Sequence, residues 1–204
     1  MDLQLRTYAF IDRMQPQAAA HVAATCQGDV PIAGMAELFI EAAPGNEIFR
    51  CADIALKAAD VRPALQIVER EFGLLEIHGK GQAEVVAAGA AVLEHLGMAE
   101  IDRVKPAVAG SQFITNVDPY QAQLINKWRK GNLLIPGTSL YILEVAPAAY
   151  VTLAANEAEK AAAITLVEVR AVGRFGRLFI SGTESDVQAA ATAAIDALEQ
   201  LEGR

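Results

Sequence analysis

Phe39-Ile40-Glu41-Ala42-Ala43-Pro44 returns as Ile142-Leu143-Glu144-Val145-Ala146-Pro147, and the spacing between the two copies decides the fold. Ala52-Asp53-Ile54-Ala55-Leu56-Lys57-Ala58 returns at the same distance as Ala155-Asn156-Glu157-Ala158-Glu159-Lys160-Ala161. Outward from these anchors, Gly28 pairs with Gly131, Gly34 with Gly137, Phe72 with Phe175, Gly73 with Gly176 and Gly79 with Gly182, always 103 residues apart. A period that long is a whole domain and not a solenoid unit. The chain of 204 residues is a tandem duplication, with one domain over 1–103 and a second over 104–204.

Composition narrows the class. With 53% apolar residues the chain can bury two cores, and the abundant alanine lets helices lie close to a sheet. A net charge of −8 argues against nucleic acid as a partner. The one basic cluster, Lys127-Trp128-Arg129-Lys130, reads as a solvated helix end. Cys26 and Cys51 form no CxxC, so zinc and iron–sulfur spacing is missing and reduced, buried thiols are expected. The residues from Met1 to Arg6 do not open a secretory leader, and no apolar run reaches membrane-spanning length. The expectation is a soluble intracellular protein without metal or cofactor.

Each half reads as an α+β unit. Leu3–Ile11 is a strand, and an Ala-rich helix starts at Pro16 with Gly28 as its C-cap. Met35–Glu41 is a strand, and Ile48–Ala59 is a helix with Asn46 as N-cap and Ile48, Cys51, Ala52, Ala55 and Ala59 on one face. Ala64–Val68 and Leu74–Ile77 flank the loop Glu69-Arg70-Glu71-Phe72-Gly73, and Ala83–Leu96 closes the unit. The second copy follows with strands over Ser111–Val117, Leu140–Val145, Thr165–Ala171 and Arg177–Ile180. Its helices cover Pro119–Arg129, Ala148–Ala162 and Glu184–Leu201, and Gly97–Gly110 is the linker. The expected fold is a mostly antiparallel sheet per half, with helices on one face.

Ala52–Val61, two strands around a Gly-bearing loop and an Ala-rich helix together resemble the bacterial microcompartment (BMC) shell domain. The extra strand and helix before each such segment resemble its circularly permuted form. Leu5-Arg6-Thr7-Tyr8, Ile67-Val68-Glu69-Arg70, Gln121–Asn126, Ala154–Lys160 and Phe175–Leu178 resemble the tandem shell proteins with a gated central pore. That resemblance implies a homotrimer that mimics a hexamer, in the shell of a microcompartment in the bacterial cytoplasm, beside other hexameric and pentameric shell proteins. It allows two trimers to stack face to face. It implies a non-enzymatic role in passing small polar or anionic metabolites.

By the same resemblance Glu69 and Arg70 line and gate the pore, within the loop that also holds Glu71, Phe72 and Gly73. Their counterparts Val172 and Gly173, with Arg174, shape the surround. Three inward guanidinium groups would repel unless each met a neighbour's carboxylate, and an exposed pair is worth only about 0–1 kcal/mol, so open and closed forms could both be populated. The residues alone also fit a solvated hairpin tip. Gly73 and Gly176 are expected to permit unusual backbone angles. Arg174 could face the pore or cap a carboxylate. Lys57 and Lys160, by resemblance tile-edge contacts, are otherwise ordinary helix lysines.

Tyr8, Phe10, Trp128 and Tyr141 are expected in cores or between chains. Glu157 and Glu159 read as exposed. His21, His78 and His95 show no ligand spacing, with His78 a weak candidate for the axis. Gly79-Lys80-Gly81 lacks the glycine run and the following Ser or Thr of a phosphate loop. Two rivals stand: a small-molecule-binding regulatory oligomer with no shell role, and an enzyme with Glu69 as general base, which lacks a partner acid, metal or cofactor motif.

Overall fold

The computed structural model describes residues 3–204. Two four-stranded sheets carry the molecule. The first is built from β1 (Gln4–Ile11), β2 (Ala36–Ala43), β3 (Arg62–Glu69) and β4 (Phe72–Gly79), in the order β1-β2-β4-β3. The second is built from β5 (Ala107–Ile114), β6 (Ser139–Ala146), β7 (Thr165–Arg170) and β8 (Gly176–Gly182), in the order β5-β6-β8-β7. Every neighbouring pair is antiparallel. The helices are α1 (Pro16–Thr25), α2 (Glu47–Ala58), α3 (Gln82–Leu96), α4 (Pro119–Asn126), α5 (Val151–Ala161) and α6 (Glu184–Glu199). The 103-residue offset maps β1 onto β5 and β2 onto β6 residue for residue, and α1 onto α4 at their first residues, with α4 two residues shorter. Even the cis peptide bonds before Pro44 and Pro147 coincide.

One face of the first sheet packs on its own helices. Leu38, Ile40, Leu75 and Ile77 meet Ile48, Cys51 and Ala55 of α2 and Val85, Ala88 and Val92 of α3. The expected one-sided covering is incomplete. The opposite face, with Ala9, Ile11, Phe39 and Leu74, joins one continuous core with Val151, Ala154 and Ala155 of α5. All eight residues of β2 are therefore buried. The second sheet fills its corresponding face with its own α4, where Ala122 and Ile125 meet Leu140, Val167 and Phe179.

Several local expectations are corrected. Asn46 occupies the N-cap of α2, but its side chain makes no capping bond and its backbone is helical. Helix α1 ends at Thr25 with Cys26 as its C-cap, and Gly28 serves instead where a Cβ would stand 2.2 Å from the carbonyl oxygen of Pro63. Helix α4 stops at Asn126, whose side chain ties down Leu134 through both its amide groups. Trp128 then turns edge-on to Phe179, with the Arg170 guanidinium 4.4 Å above its ring, so the basic cluster is not simply solvated. The linker is also structured: β5 begins at Ala107, and Arg103 donates to the carbonyl oxygens of Tyr8 and Glu202. Cys51 is buried and Cys26 half-buried, both free, and burial pushes the Cys51 thiol up to about 12.

Candidate functional site

The hairpin between β3 and β4 is tighter than the sequence suggests. Glu69 pairs with Phe72 across the strands, which leaves Arg70 and Glu71 as a two-residue turn. Arg70 takes the left-handed conformation, with φ 54°. Its counterpart Gly173 also has positive φ, at 99°. Both halves thus bend at the same position, and the second half uses the residue that bends without strain. Gly73 and Gly176 do something other than bend. A Cβ on Gly73 would stand 2.2 Å from the Gly45 carbonyl oxygen, and one on Gly176 would stand 2.1 Å from that of Ala148.

The turn and the loop 171–175 lie side by side. A Cβ on Gly173 would sit 3.4 Å from Oε2 of Glu69, so the glycine lies in contact range of that carboxylate. Arg6, Glu69, Arg70, Phe72, Arg174 and Phe175 border a cleft of about 460 Å³ here. Arg6 stacks 3.6 Å over the Phe72 ring and donates from Nε to Glu41 at 2.6 Å. Arg174 lies over Phe175 at 5.3 Å and caps no carboxylate among the described residues. Glu69, Arg70 and Glu71 have no salt-bridge partner in the chain among the described residues; Arg70 and Glu71 are exposed and Glu69 is half-buried.

Glu41 and Glu144 were visible as a repeated pair, but their role was not. Each carboxylate interrupts an apolar strand and is met by an arginine. Arg6 comes from β1 in the first half, and Arg177 from β8 in the second, at 2.5 Å. Burial raises the Glu41 carboxyl above the usual range, against the opposing pull of Arg6. An ionisable residue at the same place in two largely apolar strands was the signal that pointed to a partner, most strongly for the buried Glu41.

Lys57 and Lys160 do not share an environment. Lys57 is 73% exposed and, among the described residues, pairs only with Asp53, one turn back, at 2.7 Å. Lys160 lies between the halves, where it meets Asp12 at 3.3 Å and Glu157 at 2.9 Å. Burial opposes its charge, and the two carboxylates more than offset that and hold its ammonium above the ordinary lysine value. Glu159 is not a solvated helix residue. Its two oxygens accept the backbone N–H groups of Gln17 and Ala18 at 2.8 and 2.9 Å, at the start of α1. His78 is not at the turn either. It lies at the other end of β4, about 20 Å along the strand, and is buried against Glu76 and Asp29.

Between the two halves the structure holds a cavity of about 330 Å³, lined by Val22, Phe39, Leu65, Leu74 and Ala155. Among the described residues, two polar atoms there lack partners, Oε1 of Glu37 and Nδ1 of His21. Burial, with the Glu76 carboxylate alongside, pushes the Glu37 carboxyl well above the usual range; burial pulls His21 down. Among the described residues no helix is long and apolar enough to cross a membrane.

Comparison with known proteins covers the whole chain. Residues 5–102 match the CsoS1D N-terminal domain family, and residues 139–204 match the BMC domain family. The chain is 52% identical to carboxysome shell protein CcmP of Synechococcus elongatus, over all of its own length and 96% of that protein. It is 48% identical to carboxysome shell protein CsoS1D of Hydrogenovibrio crunogenus, over 98% of each. Among solved structures it resembles the fused permuted hexameric shell protein of the RMM microcompartment, with TM-score 0.95, 46% identity and coverage of 98% of this chain and 99% of that one. The double-ringed trimeric shell protein of the same microcompartment also superposes with TM-score 0.95, at 36% identity over 100% of this chain and 99% of that one.

Proposed function

The chain belongs to the tandem-domain, circularly permuted shell proteins of bacterial microcompartments, and on that premise we propose that it is a carboxysome-type shell tile with a gated central pore. Three copies form a pseudohexameric trimer within the shell in the bacterial cytoplasm, beside hexameric and pentameric shell proteins. Two trimers stack to enclose a chamber. The role is passage and containment, not catalysis.

One observation carries the gate: a Glu69 carboxylate lodged against Gly173, so that a turn of one domain and a loop of the other meet at one place. A threefold axis beside them gathers three Glu69–Arg70 turns, ringed by Val172, Gly173 and Arg174. Arg70 has no acidic partner within its own chain among the described residues, so its partner comes from a neighbour or from the passing solute. Exposed ion pairs contribute about 0–1 kcal/mol each, so a ring of them can hold two arrangements of similar energy. With Arg70 turned inward the pore favours small polar or anionic metabolites. Glu71 completes the turn with Arg70, and Phe72 and Gly73 set its stem, with Phe72 fixed under Arg6. Lys57 and Lys160 make the tile-edge contacts, Lys57 through its exposed head and Lys160 through its stem.

Electron microscopy of shells assembled from the purified protein with hexameric and pentameric partners tests this reading. Incorporation into shell facets is expected, and exclusion while the other components assemble would sink it. The interdomain cavity favours a second reading, a ligand-binding oligomer with no shell role. That reading requires tight small-molecule binding, measured by calorimetry, in a protein that never enters shells.

A further inference from the structure

Because the halves repeat, the way one half docks on the other shows how an uncovered face should be covered. Within the chain α1 packs on α5 and β7. Gln17 bridges the edge strand, accepting the Leu166 N–H at 2.8 Å and donating to the Ile164 carbonyl oxygen at 2.8 Å. His21 Nε2 lies 2.8 Å from the Val169 carbonyl oxygen. Glu159 caps the start of α1, which has no side-chain cap of its own. This seam is polar.

The offset of 103 converts each of these partners. On the donor side, Gln17 becomes Tyr120 and His21 becomes Leu124, on α4; they are 78% and 67% exposed. On the acceptor side, Glu159 becomes Leu56 and the buried Thr152 becomes Phe49, on α2, and both replacements are exposed. We propose that α4 of one copy docks on α2 and β3 of a second copy of this chain, head to tail, through an apolar seam in which Tyr120 and Leu124 cover Phe49 and Leu56. The inference rests on the trimeric-tile reading and names the contact that closes the ring.

Three correspondences agree with it, and in each a polar contact made within the chain has no counterpart across the new seam. Leu166, whose N–H Gln17 accepts, becomes Pro63, which has no N–H, just where Gln17 becomes Tyr120. Glu159, which caps α1, becomes Leu56, and α4 instead carries its own cap, the Asp118 side chain accepting from Tyr120 N–H at 2.8 Å. Asp12, which binds Lys160, becomes Thr115, and Lys57 turns to Asp53 on its own helix. One polar contact is kept. Glu41 accepts the Ala149 N–H at 3.1 Å within the chain. Its counterparts are Glu144, with one oxygen on Arg177, and the exposed Asn46, whose N–H has no acceptor among the described residues. The second copy completes that bond. A face that donates at one end and accepts at the other is heterologous, and rotation closes it into a ring. The rims of the seams at α1 and α4 then alternate around the ring, polar within chains and apolar between them.

The test uses the full chain with Cys26→Ser, treated with a short bismaleimide and read by denaturing gel beside native mass spectrometry. Leu56→Cys/Tyr120→Cys should give covalent dimers and trimers. Gln17→Cys/Glu159→Cys, at the matching places inside the chain, should crosslink without changing chain count. Leu124→Asp should weaken trimer association about 100-fold with an unchanged circular dichroism spectrum. A trimer in native mass spectrometry with no ladder from Leu56→Cys/Tyr120→Cys would overturn this seam and leave the tile reading standing. A parent protein that is monomeric at all concentrations would overturn both.

Discussion

At the β3–β4 turn and on one face of its sheet, the first half of the chain keeps charges where the second half keeps apolar residues or glycine, although both have one backbone plan. Glu37 stands where the second half has Leu140, Glu76 where it has Phe179, and Glu69-Arg70 where it has Val172-Gly173. Among the residues the halves share, Gly73 and Gly176 stand at close backbone approaches inside their own domains, and Glu41 and Glu144 are each held by an arginine of their own domain. The residues that differ face another domain or the proposed axis. Duplication therefore separates two kinds of constraint, one local to the domain and one set by what each copy meets.

The largest expected effects fall where the halves agree. Gly73→Ala and Gly176→Ala each drive a Cβ into a backbone carbonyl, and each should cost about 2–3 kcal/mol in urea denaturation. Costs differing by more than about 1 kcal/mol would mean the halves are not equivalent at this position.

Glu37→Leu writes the second half's residue into the first. Burial holds the Glu37 carboxyl above its ordinary value, so as pH rises the unfolded chain releases that proton first. The folded protein therefore loses stability from the ordinary carboxylate range up towards the raised folded value. The variant should be more stable by about 1–3 kcal/mol at neutral pH, and the gap should close in acid. Melting temperatures of both proteins across pH give the check; a gap that widens in acid would reverse the assignment.

Arg70→Gly relieves a left-handed arginine and should stabilise by about 0.5–1 kcal/mol, whereas Gly173→Ala should cost about 1–2 kcal/mol, both read from thermal melts. The smallest pair is at the lysines. Lys160→Ala should cost about 0.5–1 kcal/mol through its two carboxylates, and Lys57→Ala no more than about 0.5 kcal/mol. Equal losses in denaturant melts would erase the distinction drawn between their surroundings.

Much of this was legible in the sequence. The offset between Glu41 and Glu144 set the two domains, and apolar spacing placed α2 with Ile48, Cys51 and Ala55 inward. Glu69 and Arg70 stood out through the family resemblance, and the repeat fails at the same two positions. What the sequence hid was the partner across the seam. Glu159 looks solvated because periodicity reports which face of a helix a residue occupies, not what covers that face. Its partners, the N–H groups of Gln17 and Ala18, lie more than a hundred residues away. Gly28 and Asn46 misled for a related reason: a residue type that suits a cap also suits a close backbone approach or a tight turn entry.

The central claim is that the duplication makes the tile and its mismatch makes the gate. Electron cryomicroscopy of the assembled ring, parent beside Glu69→Val/Arg70→Gly, tests it most directly, because the variant carries the second half's residues in both loops. The account predicts intact rings from both proteins, a closed axis in part of the parent population, and an open axis throughout the variant. A variant whose axis is still occluded, or whose rings no longer form, would contradict it.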